Sequence, residues 1–258
     1  MTVVAIIPVR YGSTRFPGKP LATIGGKPMV QHVYESACKA SGLDQVLVAT
    51  DDQRILDTVA GFGGEAVLTS KSHVSGTDRL AEVARGIKAE WVVNVQGDLP
   101  FVRAQTISRT LMPLRRDRSI FMGTAKTAIY DKEEWFDPNV VKVVTDGKGF
   151  ALYFSRAPIP YARDVLAPDQ HHRQRAAYKR QRLWGYRHVG VYVYRRDFLL
   201  KFSRLRPTIL EQTERLEQLR VLQAGYPIRV VEVEESSIEV DTPEDLRKAE
   251  QYWRKCLR

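Results

Sequence analysis

The sequence has 258 residues, a length that suits one large α/β domain or two small ones, each with a buried core. Its 43% hydrophobic and 27% charged residues exclude an intrinsically disordered chain and a collagen-like repeat, and its two cysteines exclude a disulfide scaffold. The formal net charge of +10 is compatible with binding to nucleic acid, to an anionic membrane surface or to a small polyanionic substrate.

The beginning of the chain lacks the charged-then-apolar pattern of a secretion signal. Apolar runs stay well short of the roughly 18 residues that a membrane-spanning helix needs. Cysteine is also sparse, as it is in proteins of reducing compartments. We therefore expect a cytoplasmic protein without stable membrane insertion.

The first half of the sequence alternates short apolar runs with helix-length stretches. The run Val3–Pro8 is too short for a buried helix and ends in a loop rich in glycine and proline, which predicts a central parallel strand. Similar runs at 46–49, 65–68 and 91–95 are separated by helix-length stretches at 29–40, 53–61 and 78–88. This alternation predicts an α/β fold with a doubly wound, mostly parallel sheet. Ser75, followed by an acid at Asp78, predicts the N-terminus of a helix.

The second half of the sequence departs from this alternation. Segments 140–144, 151–155 and 186–194 cluster β-forming residues around glycine and proline, which predicts a mixed or antiparallel extension of the sheet. Leucines at helical spacing predict a helix over 211–225, and a strand at 228–233 precedes a last helix that begins at Pro243. Because no interdomain linker is evident, we expect a single domain over 1–258, with a β-rich subregion at about 125–206.

The loop after the first strand, Arg10–Pro20, is rich in cations and is called the basic loop below. It contains three cations and two glycines: Arg10, Arg15, Lys19, Gly12 and Gly18. Ligands of open α/β sheets bind beyond the carboxyl ends of the strands, and glycines and cations there suit a triphosphate. The spacing excludes a Walker A loop, because five residues separate the glycines and Pro20 stands where a Ser or Thr would bind Mg²⁺. A solvated basic turn is the alternative interpretation.

Two aspartates follow predicted strands or strand-like segments. Asp98 comes three residues after the run 92–95, and Asp241 follows the apolar-containing segment 238–240. Two carboxylates at one sheet edge could bind Mg²⁺ and leave coordination positions for water and substrate phosphates. Each aspartate alone also has a structural interpretation, above all Asp241, because Thr242–Asp245 has the pattern of a helix N-terminus.

The histidines and cysteines do not indicate a metal centre or a covalent mechanism. His171 and His172 lie in a polar basic run without zinc-ligand spacing, and His188 lies in a β-like stretch where a site role and a core role both stay open. Neither a Gly-x-Ser-x-Gly elbow nor a cysteine and histidine arrangement occurs. Nucleophilic catalysis by a side chain therefore has no support in the sequence.

Several blocks together resemble the sugar-activating cytidylyltransferases. The signature is carried by residues 6–21, and five further blocks at 73–79, 94–98, 151–156, 216–220 and 240–245 follow in the family order. Among these enzymes the blocks are most similar to those of the members that act on 3-deoxy-manno-octulosonate (KDO). The resemblance covers nearly the whole chain and implies a Rossmann-like fold of the nucleotide-diphospho-sugar transferase type.

The resemblance implies that CTP and KDO react to CMP-KDO and pyrophosphate with Mg²⁺ as cofactor, in lipopolysaccharide biosynthesis. It places Arg10, Lys19 and Asp98 in the catalytic group and Asp98 and Asp241 on the metal. The nucleotide would be bound by Arg10, Ser13, Arg15, Lys19, Ser75 and Gln96. The sugar would be contacted by Gly76, Thr77, Arg156, His188, Tyr192, Glu214 and Gln218. It also implies a homodimer, built partly from the β-rich subregion.

Two departures from the family pattern stand out. Leu99 occupies a position where the family commonly has Glu, and the basic run 171–182 replaces a segment that is usually less basic. The run is interpreted as a solvated surface segment, with subunit contact or attraction of anionic substrates as the alternative. The same chemistry on 8-amino-KDO or another ulosonic acid is a second hypothesis. A nucleic-acid-binding protein is the third, although the sequence shows no recognition motif for it.

Overall fold

The structure, a computed structural model, describes residues 2–12, 15–73, 75–163, 183–234 and 238–256. The chain divides into two compact units. The first unit consists of Met1–Gly123, Gly190–Arg204 and Glu235–Arg258, and the second consists of Thr124–Val189 and Leu205–Glu234. The single domain over 1–258 and the β-rich subregion at about 125–206 stay predictions.

Strands and helices alternate through the first half of the chain, as expected. The described strands are β1 (Val3–Val9), β2 (Thr23–Ile24), β3 (Lys27–Pro28), β4 (Gln45–Thr50), β5 (Ala66–Leu68), β6 (Trp91–Val95), β7 (Met122–Ile129), β8 (Lys142–Thr145), β9 (Ala151–Ser155), β10 (Gly185–Arg195) and β11 (Arg229–Glu232). The described helices are α1 (Met29–Cys38), α2 (Gln53–Gly61), α3 (Gly76–Gly86), α4 (Ala104–Arg116), α5 (Lys132–Phe136), α6 (Arg196–Phe202), α7 (Ile209–Glu214), α8 (Gln218–Gln223) and α9 (Pro243–Cys256). A 3₁₀ turn spans Lys19–Leu21.

The first unit is built on a doubly wound sheet with the strand order β10–β6–β1–β4–β5. Strand β1 pairs in parallel with β4 and with β6, and β4 pairs in parallel with β5, whereas β10 joins β6 antiparallel. Because the central strands are apolar on both faces, they are buried along their length, as Ile6, Val48 and Val93 show at 0% exposure. From β1 the chain continues to β4 and β5 on one side of the sheet and then returns to β6 on the other side of β1. The carboxyl ends of β1 and β6 therefore form the switch point of the sheet.

The second unit is richer in antiparallel pairing. Its strand order is β11–β7–β10, with β8 pairing to both β10 and β9, and both β8 pairings are antiparallel. Trp135 and Phe154 are buried in this unit at 0% exposure. The predicted α/β fold with a mostly parallel sheet and a β-rich extension is therefore confirmed.

The predicted continuous helix over 211–225 is wrong. The segment forms two short helices, α7 and α8, because Arg215 between them adopts a left-handed backbone with φ of 56°. Leucines at helical spacing gave no warning of this break, since Leu216 and Leu219 are buried at 7% and 0% exposure all the same. Beside the break, the carbonyl oxygen of Glu214 accepts a hydrogen bond from Arg156 Nε at 2.8 Å.

A small apolar cluster fastens α9 to the start of the chain. Ile24, Met29, Val240 and Ala249 are buried together. Trp253 packs so closely over Gly25 that a Cβ at that glycine would lie 2.2 Å from the indole ring. This packing fixes the segment that precedes α9, which carries Asp241.

Candidate functional site

The carboxyl ends of β1 and β6 come close together. Asp98 follows β6 after a turn at Gly97, where an added Cβ would lie 2.3 Å from Val9 Cγ1 and 3.1 Å from the carbonyl oxygen of Pro8. Only glycine allows this approach. The turn therefore places Asp98 at the sheet edge where β1 gives way to the basic loop.

Asp98 and Asp241, called the carboxylate pair below, meet on one lysine. Lys19 Nζ donates hydrogen bonds to Asp98 Oδ2 at 3.3 Å and to Asp241 Oδ1 at 3.0 Å. Arg15 Nη2 donates to the other oxygen of Asp241 at 2.8 Å. The Lys19 side chain is 14% exposed, and the two carboxylates are 30% and 34% exposed. The site thus joins two acids and two cations that are close in space and distant in sequence.

The backbone holds the carboxylate pair in place. The Val240 amide donates to the carbonyl oxygen of Asp98 at 3.0 Å, so the two acidic segments run side by side without forming a regular strand pair. Beyond Asp241 the predicted helix N-terminus is confirmed. The Asp245 amide donates to Thr242 Oγ1 at 3.2 Å, and the Thr242 amide donates to Asp245 Oδ2 at 3.0 Å. Asp241 is therefore free of the capping role that its neighbours perform.

The donor set of this site suits a hard divalent cation. Carboxylate oxygens from two elements already share one positive charge, and Mg²⁺ is commonly held by one or two carboxylates together with substrate phosphates. Within the described ranges, no group of three or more His, Cys, Asp or Glu residues is arranged to hold a metal. The chemistry of the pair therefore fits Mg²⁺ that takes its remaining ligands from substrate and water.

The basic loop is closed on itself beside this site. Gly18 has φ of 74° and its amide donates to the carbonyl oxygen of Tyr11 at 2.9 Å. A Cβ at Gly18 would lie 3.2 Å from the Tyr11 ring, and the guanidinium of Arg54 lies over that ring at 3.4 Å from its centroid. Arg10 is exposed directly after β1. The predicted residue Ser13 lies outside the described residues.

The N-terminus of α3 lies against the end of β1. Ser75 caps the helix by accepting a hydrogen bond from the Asp78 amide at 3.2 Å, as predicted. Gly76 packs on Pro8, with 3.7 Å between its virtual Cβ and the proline ring, and Thr77 is buried at 6% exposure. Ser75, Gly76 and Thr77 thus lie near the switch point, at the sheet edge where the basic loop begins.

A buried arginine anchors this helix and was missed by sequence reasoning. Arg79 is 3% exposed, its Nη2 donates to Asp51 Oδ2 at 2.8 Å, and its Nη1 donates to Thr69 Oγ1. Asp51 directly follows β4, which is the same signal that identified Asp98 after β6. The position of Asp51 immediately beyond a parallel strand could therefore have indicated a charged partner such as Arg79.

Predicted sugar-side residues of the second unit are held largely by protein groups. Glu214 accepts hydrogen bonds from Ser155 Oγ at 2.6 Å and from the Arg156 amide at 2.9 Å. Arg156 donates from Nη1 to the carbonyl oxygen of Pro138 at 2.9 Å. Gln218 begins α8 and is 5% exposed. Glu214 and Arg156 therefore lie in contact, with both carboxylate oxygens already engaged.

His188 is partly buried in the same unit. Its Nε2 lies 2.9 Å from Thr124 Oγ1, and the ring of Phe154 meets it edge-on at 5.4 Å between centroids. Removal from water lowers the pKa of His188 to about 3, although part of the residue remains accessible. His188 is thus neutral at physiological pH, and Thr124 is a neighbour that no sequence signal indicated.

The remaining predicted residues lie along β6 and β10. The Gln96 amide donates to the carbonyl oxygen of Gly190 at 3.4 Å, and Tyr192 pairs with Asn94 across the antiparallel strands. Tyr192 is 8% exposed and stacks on Tyr194 at 5.9 Å. Leu99 is 1% exposed, so this departure from the family pattern places an apolar side chain in the core. The basic run 171–182, with His171 and His172, lies outside the described residues.

The chain matches a family model described as cytidylyltransferase over residues 4–236. It is 52% identical over 254 residues to a 3-deoxy-manno-octulosonate cytidylyltransferase of Syntrophotalea carbinolica, with 98% of this chain and 99% of the relative covered. It is 55% identical over 248 residues to the protein of the same name from Geobacter metallireducens, with 96% of each covered.

Solved structures agree with this similarity. The chain is 43% identical to a CMP:2-keto-3-deoxy-manno-octonic acid synthetase complexed with CTP, with a TM-score of 0.88 and 100% of both chains covered. A 4-diphosphocytidyl-2C-methyl-D-erythritol synthase from Anaerococcus prevotii matches with a TM-score of 0.62 at 15% identity, with 98% of this chain and 99% of that chain covered. The second likeness concerns the fold alone.

Proposed function

Because the chain belongs to the 3-deoxy-manno-octulosonate cytidylyltransferase family, we propose that it transfers CMP from CTP to KDO and releases pyrophosphate. The observation that supports this most strongly is the carboxylate pair, which shares Lys19 at the sheet edge where the basic loop begins. Acids that can bind a divalent cation and cations that can bind phosphate are what nucleotidyl transfer needs at one place.

The transfer requires no nucleophilic side chain. The anomeric hydroxyl oxygen of KDO forms a bond to the α-phosphorus of CTP, the bond from that phosphorus to the bridging oxygen breaks, and pyrophosphate leaves with its electron pair. The hydroxyl proton passes to solvent. The protein acts by holding the two reactants in line and by neutralising charge on the phosphate oxygens.

The first unit's own residues fulfil these tasks in the proposal. Arg10, Arg15 and Lys19 bind the phosphates, and Ser75 and Gln96 orient the nucleotide. Asp98 and Asp241 would hold Mg²⁺, which supplies positive charge to the phosphates when it is bound. The separation of roles follows from position, since the cations belong to the basic loop and the acids follow β6 and precede α9.

Further residues are assigned to the sugar. Gly76 and Thr77 at the start of α3, together with Tyr192, contact KDO in the proposal, as do four residues of the second unit: Arg156, His188, Glu214 and Gln218. A neutral His188 suits this role, because it exchanges hydrogen bonds with hydroxyl groups without adding a charge. Glu214 would act mainly by positioning the Arg156 segment that it already binds.

The proposal extends to the setting of the reaction. The product would enter lipopolysaccharide biosynthesis, the reaction would take place in the cytoplasm, and the protein would act as a homodimer. Exposed apolar side chains of the second unit, among them Leu152 at 63% and Tyr161 at 65% exposure, would be available to a subunit contact. In the part of the chain that the structure describes, no helix has the length and apolar character to cross a bilayer. Light scattering after gel filtration tests the dimer.

Pyrophosphate release tests the proposed reaction directly. The wild-type protein is supplied with CTP and Mg²⁺ and with either KDO, 8-amino-KDO or another ulosonic acid, and the sugar nucleotide is identified by mass spectrometry. We expect CTP-dependent release with KDO as the preferred sugar. A preference for 8-amino-KDO would replace the sugar assignment. If none of the sugars in the panel supported pyrophosphate release, the proposed function would be contradicted. Binding to duplex or single-stranded DNA, assayed alongside, is expected to be absent.

A further inference from the structure

The two carboxylates assigned above to Mg²⁺ already share the positive charge of one side chain, Lys19. We propose that Lys19 is an internal stand-in cation: its ammonium keeps the carboxylate pair together until a divalent cation takes its place, and it then turns to the nucleotide phosphates. This inference rests on the proposed metal site and adds that lysine and metal exclude each other. Free protein should therefore bind divalent cations weakly and gain affinity when the lysine is removed.

Geometry supports the exclusion. Lys19 Nζ lies 3.3 Å from Asp98 Oδ2 and 3.0 Å from Asp241 Oδ1, so it occupies the space between one oxygen of each acid. A Mg²⁺ ion bound by the same two oxygens needs them at about 2.0–2.1 Å and would claim that same space. Two positive charges this close also repel each other strongly when they are half-buried.

The lysine side chain can leave while its backbone stays in place. Lys19 begins the 3₁₀ turn, where its amide donates to the carbonyl oxygen of Phe16 at 3.2 Å and the neighbouring Pro20 is buried. The ammonium itself stands on a flexible four-carbon stem, which allows a swing of several ångströms without movement of the loop. Displacement would therefore free one cation within the basic loop, where the proposed triphosphate binds.

Arg15 differs from Lys19 in a way that provides an internal comparison. Of the two acids of the carboxylate pair it contacts Asp241, through Oδ2, and its side chain is 61% exposed. It therefore leaves Asp241 Oδ1 and the whole of Asp98 available to a metal. Removing Arg15 should raise divalent affinity much less than removing Lys19, although each substitution removes one positive charge.

Titration calorimetry with Mg²⁺ alone, in the absence of nucleotide, measures this directly. Lys19→Met should bind Mg²⁺ at least about tenfold more tightly than the wild-type protein. The Mg²⁺ affinity of Arg15→Met should lie between those of Lys19→Met and the wild type. Lys27→Met is the control for lost charge, because Lys27 pairs with Glu35 at 2.8 Å on an exposed surface. The Mg²⁺ affinity of this variant should equal the wild-type value. Asp98→Asn should lose the binding.

The outcomes separate this inference from the proposed function. Equal or weaker binding by Lys19→Met, with the wild type still active and Mg²⁺-dependent, overturns the stand-in role alone. Binding by no variant, with turnover that continues when Mg²⁺ is chelated, overturns the metal assignment and the inference together. Urea denaturation of each variant verifies that it is folded.

A second readout uses the wild-type chain and does not depend on the folding of any variant. Mg²⁺ should free the Lys19 amine, so its acetylation rate, followed by peptide mass spectrometry, should rise at least about threefold by reciprocal linkage. Lys27, whose side chain is 48% exposed, serves as the reference amine in the same sample. An unchanged or reduced Lys19 rate under saturating Mg²⁺ would overturn the proposal.

Discussion

The carboxylates of the two units are satisfied in different ways. In the first unit, Asp98 and Asp241 are bound by the charged ends of long side chains, Lys19 and Arg15. In the second unit, Glu214 is bound by the short Ser155 hydroxyl and by a backbone amide. Long cationic side chains can exchange their partner for a ligand, whereas a backbone amide cannot move without its strand. The comparison separates acids available for chemistry from an acid that fixes structure.

The largest expected effect concerns the carboxylate pair. Asp98→Asn should lower kcat by at least about 100-fold, because it removes a charge from the site that would hold Mg²⁺. The free energy of unfolding should change by less than about 1 kcal/mol, since the Asp98 side chain is 30% exposed and Lys19 retains its ion pair with Asp241. Kinetics of pyrophosphate release and urea denaturation measure the two effects. The exposed Asp57→Asn is the matched control, and near-normal turnover of Asp98→Asn would remove Asp98 from the site.

The second unit should show the opposite response. Glu214→Ala leaves the buried Ser155 hydroxyl and the Arg156 amide without their acceptor, which should lower the free energy of unfolding by about 2 kcal/mol. Glu244→Ala, at a carboxylate that is 66% exposed, should lower it by less than about 0.5 kcal/mol. Urea denaturation compares them. A Glu214 variant as stable as the wild type, with lost activity instead, would erase the distinction between the two units.

Acid should weaken the second unit through His188. The pKa of His188 in the folded protein is about 3, whereas its ordinary value is 6.5. Between these two pH values the unfolded chain therefore binds a proton at His188 and the folded chain does not. The free energy of unfolding is therefore unaffected by His188 above pH 6.5 and falls as the pH drops toward 3, by about 1.4 kcal/mol per pH unit at most. His188→Asn should show a flatter decline of the free energy of unfolding over this range. Identical pH profiles would contradict the neutral histidine.

The smallest effect is expected where α7 meets α8. Arg215 adopts φ of 56° and is exposed, so Arg215→Gly should relieve backbone strain and raise the free energy of unfolding by about 0.5 kcal/mol. Thermal unfolding measures it, with Arg215→Ala as the control that retains the strain. A Gly variant less stable than the Ala variant would show that glycine relieves no backbone strain at this position.

Periodicity and strand-end position could be read from the sequence, whereas side-chain partners could not. The apolar run of β1 helped to predict the doubly wound sheet, and the positions of Asp98 and Asp241 after apolar segments predicted two carboxylates at one sheet edge. The contact of Lys19 with both acids arises from tertiary packing across 222 residues of chain, which no local pattern encodes. The break at Arg215 could not be read from the apolar spacing, because that spacing continues past it, with Leu216 and Leu219 both buried.

A crystal structure of the protein with CTP and Mg²⁺ would test the central claim most directly, because it measures the position of Lys19 Nζ and of the triphosphate together. The account predicts that the triphosphate lies against the basic loop, that Asp98 and Asp241 bind the metal, and that Nζ has left both acids for a phosphate oxygen. A triphosphate bound elsewhere, or an Nζ still within 3.3 Å of both carboxylates, would contradict it.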